Sequence, residues 1–328
     1  RNPRLCKLSR GLGDVYKRQT CRWCERACPL DITYVDKLVE MRRNLVLEKA
    51  EFPEEAQAAF RGYEVNGNPW QLPAEERANW ASDLDVPLAS AAGGDFEYLF
   101  FVGSPGSYDD HGKTVSRALV KILKAAGIKI AILGPEELST GDAPRRRGNE
   151  YLFQMLAQQN VETMNGYGVK KIVTNCPHAY NTLAHEYPEF GGDYEVVHGT
   201  QLVAELVRAG KVKLTGSLSM DLAYHDPCYL GRTNCEYDAP RFLLKAIPGV
   251  RVREAELHRE TSMCCGAGGG RMWLEENLGD RINRLRFEQL RATGTTEVAV
   301  ACPYCFSMLS DAQSEGGLED ARTFDVIE

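Results

Sequence analysis

Short apolar runs alternate with amphipathic stretches from residue 96 to the end of the chain. Strand-length runs fall at 98–102, 128–133 and 171–174, and helical periodicity at 113–126, where Gly127 stops it, and at 148–166. A second series predicts strands at 194–197, 222–225 and 297–300 and helices at 200–209, 241–247 and 271–291. Strands separated by helices do not pair as hairpins, so the pattern predicts an α/β fold with mostly parallel sheets covered by helices. Upstream, Val35, Leu38, Val39, Arg42, Leu45 and Val46 recur at helical spacing, which predicts an amphipathic helix over 35–47 that packs on the module before it. Residues 51–95 carry Pro53, Pro69, Pro73 and Pro87 with Asn66-Gly67 and Gly93-Gly94. They read as a connector with short helices around 54–60 and 74–81, anchored by Trp70 and Trp80.

The two series are one unit written twice. Gly103-Ser104 matches Pro227-Cys228 at an offset of 124, and Ser139-Thr140-Gly141 matches Cys264-Cys265-Gly266 at 125. Cys176-Pro177-His178-Ala179 matches Cys302-Pro303-Tyr304-Cys305 at 126. The chain therefore divides into a first repeat, 96–215, and a second, 216–328. The first has serine, threonine or alanine where the second has cysteine, and keeps only Cys176. One thiol and some hydroxyls cannot hold a multi-iron cluster, so the first repeat reads as a degenerate scaffold or an emptied site that shapes a partner surface, and Cys176 as a buried small residue.

Cys228, Cys264, Cys265, Cys302 and Cys305 draw five thiols from three points of the second repeat. A tetrahedral zinc ion takes four ligands, and adjacent cysteines rarely both reach one small ion. A sulfide-bridged iron cluster offers several metal atoms to such a set. The glycine-rich run 266–270 puts bare amides beside Cys264-Cys265, where N–H groups can approach sulfur. Pro227 and Pro303 fix the turns that present Cys228 and Cys302. His225-Asp226 reads either as a proton shuttle or as a structural pair. His178, His185, His198 and His258 share no metal-ligand spacing. Arg145-Arg146-Arg147 reads as a solvated basic turn, and Cys235 as a free thiol in a loop that leads into a helix.

The segments His225-Asp226-Pro227-Cys228-Tyr229-Leu230-Gly231-Arg232, Cys264-Cys265-Gly266-Ala267-Gly268-Gly269-Gly270 and Ala301-Cys302-Pro303-Tyr304-Cys305 resemble the CCG cysteine-rich domain of heterodisulfide-reductase-like iron–sulfur proteins. The resemblance implies a domain that commonly occurs twice, and a non-cubane iron–sulfur cluster on Cys228, Cys264, Cys265, Cys302 and Cys305.

Near the start, Cys21, Cys24 and Cys28-Pro29 match the last three cysteines of the ferredoxin motif C-x2-C-x2-C-x3-C-P, whose final cysteine ligates the other cluster in two-cluster domains. The first cysteine is expected at position 18, where Arg18 stands. Residues 20–50 thus read as a partial, truncated α-helical ferredoxin-like module, with a 4Fe–4S cluster or clusters in the full-length protein. A zinc knuckle on the same three cysteines is the alternative. Residues 9–19 resemble the in-frame translation of a sequencing-library adapter, so 1–19 read as an assembly artefact and the native chain as beginning further upstream.

Composition narrows the rest. The chain has 328 residues, 43% hydrophobic and 26% charged, which suits a protein of two or three domains. Its net charge of −7 argues against generic nucleic-acid binding. Eleven cysteines in C-x-x-C groupings favour metal ligation in a reducing cytosol over a disulfide framework. No apolar run reaches the length of a membrane helix.

The order of ferredoxin motif, connector and doubled cysteine-rich domain resembles the cytoplasmic part of membrane-bound proteins that connect electron-transferring flavoprotein to quinone. The resemblance implies an iron–sulfur oxidoreductase subunit with a flavoprotein donor and a membrane quinone-reducing partner, at the inner face of the membrane. A thiol–disulfide reductase subunit is the second reading, which the emptied first repeat disfavours. A zinc-stabilised interaction module without redox chemistry is the third. Amplification of the locus from source DNA is expected to give different codons upstream of Thr20; recovery of the same codons would refute the adapter reading.

Overall fold

The computed structural model describes residues 15–274, 279–318 and 320–328. Two four-stranded sheets, each wholly parallel, form its frame. The first contains β1 (Tyr98–Phe100), β2 (Ile130–Ala131), β3 (Lys171–Thr174) and β4 (Glu195–His198) in the order β2-β1-β3-β4. The second contains β5 (Met220–Tyr224), β6 (Val250–Arg253), β7 (Glu297–Val300) and β8 (Arg322–Asp325) in the order β6-β5-β7-β8. The orders are the same because the two repeats have the same connections.

Both faces of each sheet are covered, and the strand residues sort alternately between them. Leu99, Phe101, Ala131 and Ile172 enter one core, whereas Phe100, Val102, Ile130 and Val173 enter another. The second sheet divides likewise, with Ala223, Val298 and Val300 on one side and Leu222, Tyr224 and Ala299 on the other. Period-two sorting with apolar residues on both faces is what a helix-covered parallel sheet requires, and each such side chain contributes about 1.5–3 kcal/mol by burial. Ala239 and Leu243 of the second repeat share a core with Leu202 and Val203 of the first, which joins the repeats.

Trp80 packs edge-on against Phe100 at 5.9 Å, and Trp70 against Trp273 at 5.4 Å. The connector is therefore held to both repeats. Its first helix runs over Glu54–Asn66, longer than expected, and ends at Gly67 in the left-handed conformation. Ala74–Ala81 is a 3-10 helix. The helix expected over 35–47 is α-helical over Val35–Arg43 and continues as a π-turn over Asn44–Glu48. Arg42 on its inner face is fully buried, donating to the carbonyls of Val15, Arg18 and Arg146.

The continuous helix expected over 271–291 is not formed. Arg271–Trp273 is a single 3-10 turn, Gly279 has a φ of 69°, and the helix is confined to Ile282–Arg291. Residues 275–278 lie outside the described residues, as do residues 1–14, which carry most of the adapter reading. Strands β6 and β8 escaped sequence reasoning. They are edge strands, and charges such as Arg251, Arg253 and Arg322 occupy their open sides, so no apolar run marks them. Among the described residues no helix is long and apolar enough to cross a membrane.

Asp325, at the end of β8, is buried, and among the described residues its carboxylate accepts only the Ile327 amide, at 2.9 Å. Burial pushes its carboxyl up to about 7, against a weaker pull from His111. Because the unfolded carboxyl titrates near 4, the native state keeps a proton that the unfolded chain has released between about pH 4 and pH 7. Stability thus falls through that window as pH rises, by an amount on the order of 4 kcal/mol. Asp325→Asn is expected to leave stability near pH 4 unchanged and to raise it at pH 8, measured by urea unfolding at both pH values.

Candidate metal centre

Strand β5 runs into the turn His225-Asp226-Pro227-Cys228, and β7, its neighbour in the sheet, runs into Cys302. Asp226 fixes the first turn: its carboxylate accepts from Arg241 Nη1 at 2.6 Å and Nη2 at 2.8 Å, and from the Arg259 amide at 2.7 Å. Arg241 is shared with Glu254, with two hydrogen bonds of 2.8 Å. At the second turn Cys302 is the N-cap of the helix Pro303–Glu315, Pro303 occupies its start, and Cys305 lies in its first turn. The positive end of that helix favours thiolate over thiol. Cys264-Cys265 arrive on the loop after β6, where Ser262 Oγ donates to the Asp226 carbonyl at 3.3 Å.

These elements bring Cys228, Cys264, Cys265, Cys302 and Cys305 together, and all five are buried. Cys264 hydrogen-bonds with Cys228 and Cys265, Cys265 with Cys305, and Cys305 with Cys302. Neighbouring sulfurs share protons, so the set alternates. The bond from Cys264 holds Cys265 well below the ordinary thiol value. Cys264 and Cys305 are raised well above it, Cys264 by its sulfur neighbours and Cys305 first by burial. Cys302 is lowered to about 6, burial being outweighed by Cys305 and His178. The Gly266 amide donates to Cys264 Sγ at 3.3 Å, as the bare glycine run predicts. His225 and the sulfurs of Cys265 and Cys305 offer ligand atoms all within 4.8 Å of one another. Arg286 Nε donates to His225 Nδ1 at 3.0 Å, so the ring proton sits on Nε2, which is buried beside the Cys265 sulfur. Burial and Arg286 keep this ring neutral at ordinary pH, which favours a hydrogen-bonding role over a charge-carrying one.

Sequence reasoning grouped Cys21 with Cys24 and Cys28, and the structure divides them. Cys21 is buried with Cys228, Tyr229 and Cys264, and its thiol hydrogen-bonds Cys264. That bond, helped by Arg232 and opposed by burial, lowers Cys21 to about 6. Cys24 is exposed, and Cys28 sits at the surface with its sulfur 3.8 Å from Tyr34 Oη. The segment around Cys21 is docked on the second repeat. Gln19 Nε2 donates to the Gly266 carbonyl at 2.9 Å, Thr20 Oγ1 pairs with Tyr229 Oη at 3.0 Å, and Arg232 Nε donates to the Cys21 carbonyl at 2.7 Å. The glycine loop permits this approach: a Cβ on Gly269 would lie 2.8 Å from the Thr20 side chain.

In the first repeat, Ser104, Ser139, Thr140, Cys176 and Ala179 line a small cavity of about 30 Å³. Burial pushes the Cys176 thiol up to about 12, as suits an inert residue. His178 lines the same cavity, as do Tyr304 and Ala267 of the second repeat. Burial opposes its charge, but Asp142 Oδ2 at 2.9 Å and the neighbouring Cys302 hold the imidazole well above its ordinary value. The arginine triplet is not a solvated turn. Arg145 pairs with Glu186 at 3.0 Å, Arg146 with Asp142 at 3.1 Å and with Glu186, and Arg147 is buried. His198 caps the helix Gly199–Arg208, His185 contacts Asn234 at 2.8 Å, and His258 contacts the Ala255 carbonyl. Cys235 is exposed just ahead of the helix Asp238–Ala246.

The cysteine-rich domain family CCG matches residues 98–184 and 222–310, the two repeats. The chain belongs to this family. It is 47% identical over 322 residues to the Bacillus subtilis protein named probable iron-sulfur-binding oxidoreductase FadF, a match covering 96% of this chain and 46% of that protein. It is 44% identical over 330 residues to the EtfAB:quinone oxidoreductase of Syntrophomonas wolfei, with coverage of 97% and 46%. It is 31% identical over 321 residues to one component of the dihydromethanophenazine:CoB–CoM heterodisulfide reductase of Methanosarcina barkeri, with coverage of 96% and 75%. The first two relatives are about twice the length that the chain spans. These likenesses place the CCG protein among iron–sulfur oxidoreductases. The buried thiol cluster, the amide donated to Cys264 and the His225 Nε2 beside Cys265 suit such a group chemically.

Sequence reasoning gave no role to Arg232, Arg286 or His178, none of which carries a ligand pattern. The repeat alignment alone pointed to His178, at the position of Tyr304. Removing the Asp226 carboxylate leaves the buried Arg241 only Glu254 and the Tyr237 carbonyl among the described residues, so Asp226→Ala is expected to cost about 3 kcal/mol in urea unfolding, and Arg241→Met a similar amount.

Proposed function

We propose that the chain is the electron-transfer part of a heterodisulfide-reductase-like oxidoreductase, in which Cys228, Cys264, Cys265, Cys302 and Cys305 hold a non-cubane iron–sulfur cluster. When bound, that group supplies one-electron redox chemistry. The observation that carries the reading is the contact of Cys21 with Cys264, a cysteine of the ferredoxin-like segment resting on a cysteine of the second repeat. Two ligand sets in sulfur-to-sulfur contact leave no protein between the centres they serve. Cys21 and Cys24 belong to the nearer 4Fe–4S site of that module, and the surface position of Cys28 suits a ligand to its companion cluster.

In this reading residues 1–19 remain an adapter remnant, 20–50 the ferredoxin-like module, 51–95 the connector, 96–215 the degenerate repeat and 216–328 the cluster-binding repeat. The relative named EtfAB:quinone oxidoreductase supports a flavoprotein donor and a quinone-linked membrane partner, with the chain held at the inner face of the membrane through that partner or an upstream region. A disulfide-cleaving reductase is less well supported, because the first repeat offers Cys176 alone at its matching turns.

Anaerobic purification with iron and acid-labile sulfide analysis and EPR tests the assignment. About four irons and four sulfides per chain are expected in the second repeat. Cys264→Ser is expected to abolish the signal. Cys21→Ser is expected to keep it, and its loss would instead make Cys21 a ligand of the same cluster. Zinc without labile sulfide would overturn the redox reading.

A further inference from the structure

One guanidinium ties together the three segments that bring Cys21, Cys228 and Cys264 into contact. Arg232 follows Cys228 by four residues, in the π-turn Tyr229–Thr233. Its Nε donates to the Cys21 carbonyl at 2.7 Å, and its Nη1 donates to the Glu260 carbonyl at 3.3 Å and to the Ser262 carbonyl. Glu260 and Ser262 lie just ahead of Cys264, so a side chain that starts beside Cys228 reaches the backbone of the two other segments. The three cysteines form one buried group with Tyr229. The guanidinium lies against that group, with Cys228, Cys21 and Cys264 the charges that act on it. Its remaining nitrogen, Nη2, is buried and donates to no oxygen or nitrogen among the described residues. The hydrogen-bond partners of Arg232 among the described residues are carbonyls, none of them a carboxylate. A cation taken partly out of water and given no carboxylate has to find its countercharge elsewhere, and here sulfur is what it faces.

We propose that Arg232 is the countercharge of the metal centre in the second repeat, a fixed cation held by three backbone carbonyls that raises the reduction potential of the cluster. The inference rests on the cluster assignment above. Reduction adds a negative charge to the cluster, and a cation at a fixed distance stabilises the reduced form more than the oxidised one. An arginine keeps its charge at every pH at which the protein is folded, so the effect requires no protonation step. The carbonyl bonds supply the geometry: a planar fork with donors on several sides can span two segments at once, which a single ammonium cannot do. Arg232 is a positioning residue in this arrangement. The iron ligands are the cysteines, and the arginine acts on them through its field and through the placement of their loops. A strut without an electrostatic role would behave differently, because loosening the loops admits water, and water also favours the more highly charged reduced form. Loss of the charge lowers the potential, whereas loosening alone raises it.

The test is an anaerobic redox titration followed by EPR on the iron-loaded full chain, with iron and sulfide measured alongside, for the parent protein, Arg232→Gln and Arg232→Lys. Arg232→Gln is expected to shift the one-electron equilibrium about tenfold toward the oxidised state, 59 mV lower in potential. Arg232→Lys keeps the charge and is expected to shift it less, and both variants are expected to keep their iron. An unmoved or raised potential in Arg232→Gln with full iron overturns the role of Arg232, as does an equal lowering in the two variants, and each leaves the cluster assignment standing. Should Arg232→Gln lose its iron, Arg232→Lys decides: iron retained at a potential no higher than the parent's supports the role, and a raised potential or lost iron overturns it. A parent chain that binds no iron overturns the assignment and the role together.

Discussion

The parallel pairing of β5 with β7 is the constraint on which the metal centre depends. The chain leaves β5 toward β6 on one side and returns to β7 on the other, so the connections diverge at the carboxyl ends of these two central strands. A crevice opens at such a reversal, and the turns that begin it lie side by side. That geometry starts the turns of Cys228 and Cys302 from neighbouring strands although the sequence separates them widely, and it leaves the loop after β6 to bring in Cys264-Cys265, which links them. The pairing of β1 with β3 makes an equal crevice in the first repeat, where hydroxyls and one thiol stand in place of the thiol set.

The second crevice is closed by groups from every part of the molecule. The segment 19–21 lies against the glycine loop and Tyr229, the first repeat contributes His178, and Tyr304 reaches back into the apolar core of the first repeat. Such close approach needs backbone without side chains. Gly266, Gly269 and Gly270 all adopt positive φ, and a Cβ on Gly270 would lie 3.1 Å from Arg147 Nε. The loop is a structural seam as much as a source of amides.

The sequence shows the fold wherever apolar residues and period coincide, and the site wherever chemistry needs a rare residue. The strands 171–174 and 297–300, the duplication and the five clustered cysteines follow from pattern and spacing alone. Edge strands β6 and β8 do not, because their charged open sides break the apolar run. The helix expected over 271–291 failed because Arg271, Met272 and Trp273 mimic its period while serving as a turn between the glycine loop and the connector. The division of Cys21 from Cys24 and Cys28 is a tertiary fact. Local spacing groups the three, and only the docking of residues 19–23 onto Arg232, Tyr229 and Thr261 separates them.

The duplication also bears on biogenesis. In the first repeat a sheet of the same order closes over serine, threonine and alanine, its two faces packed by Leu99, Phe101, Phe100 and Val173. Its architecture therefore rests on apolar burial and needs no metal crosslink, unlike a zinc finger that stays unfolded until the ion arrives. The second repeat has the same frame, so apolar burial is enough to gather its thiols, and the order of assembly that follows is scaffold first, with any inorganic group a later arrival.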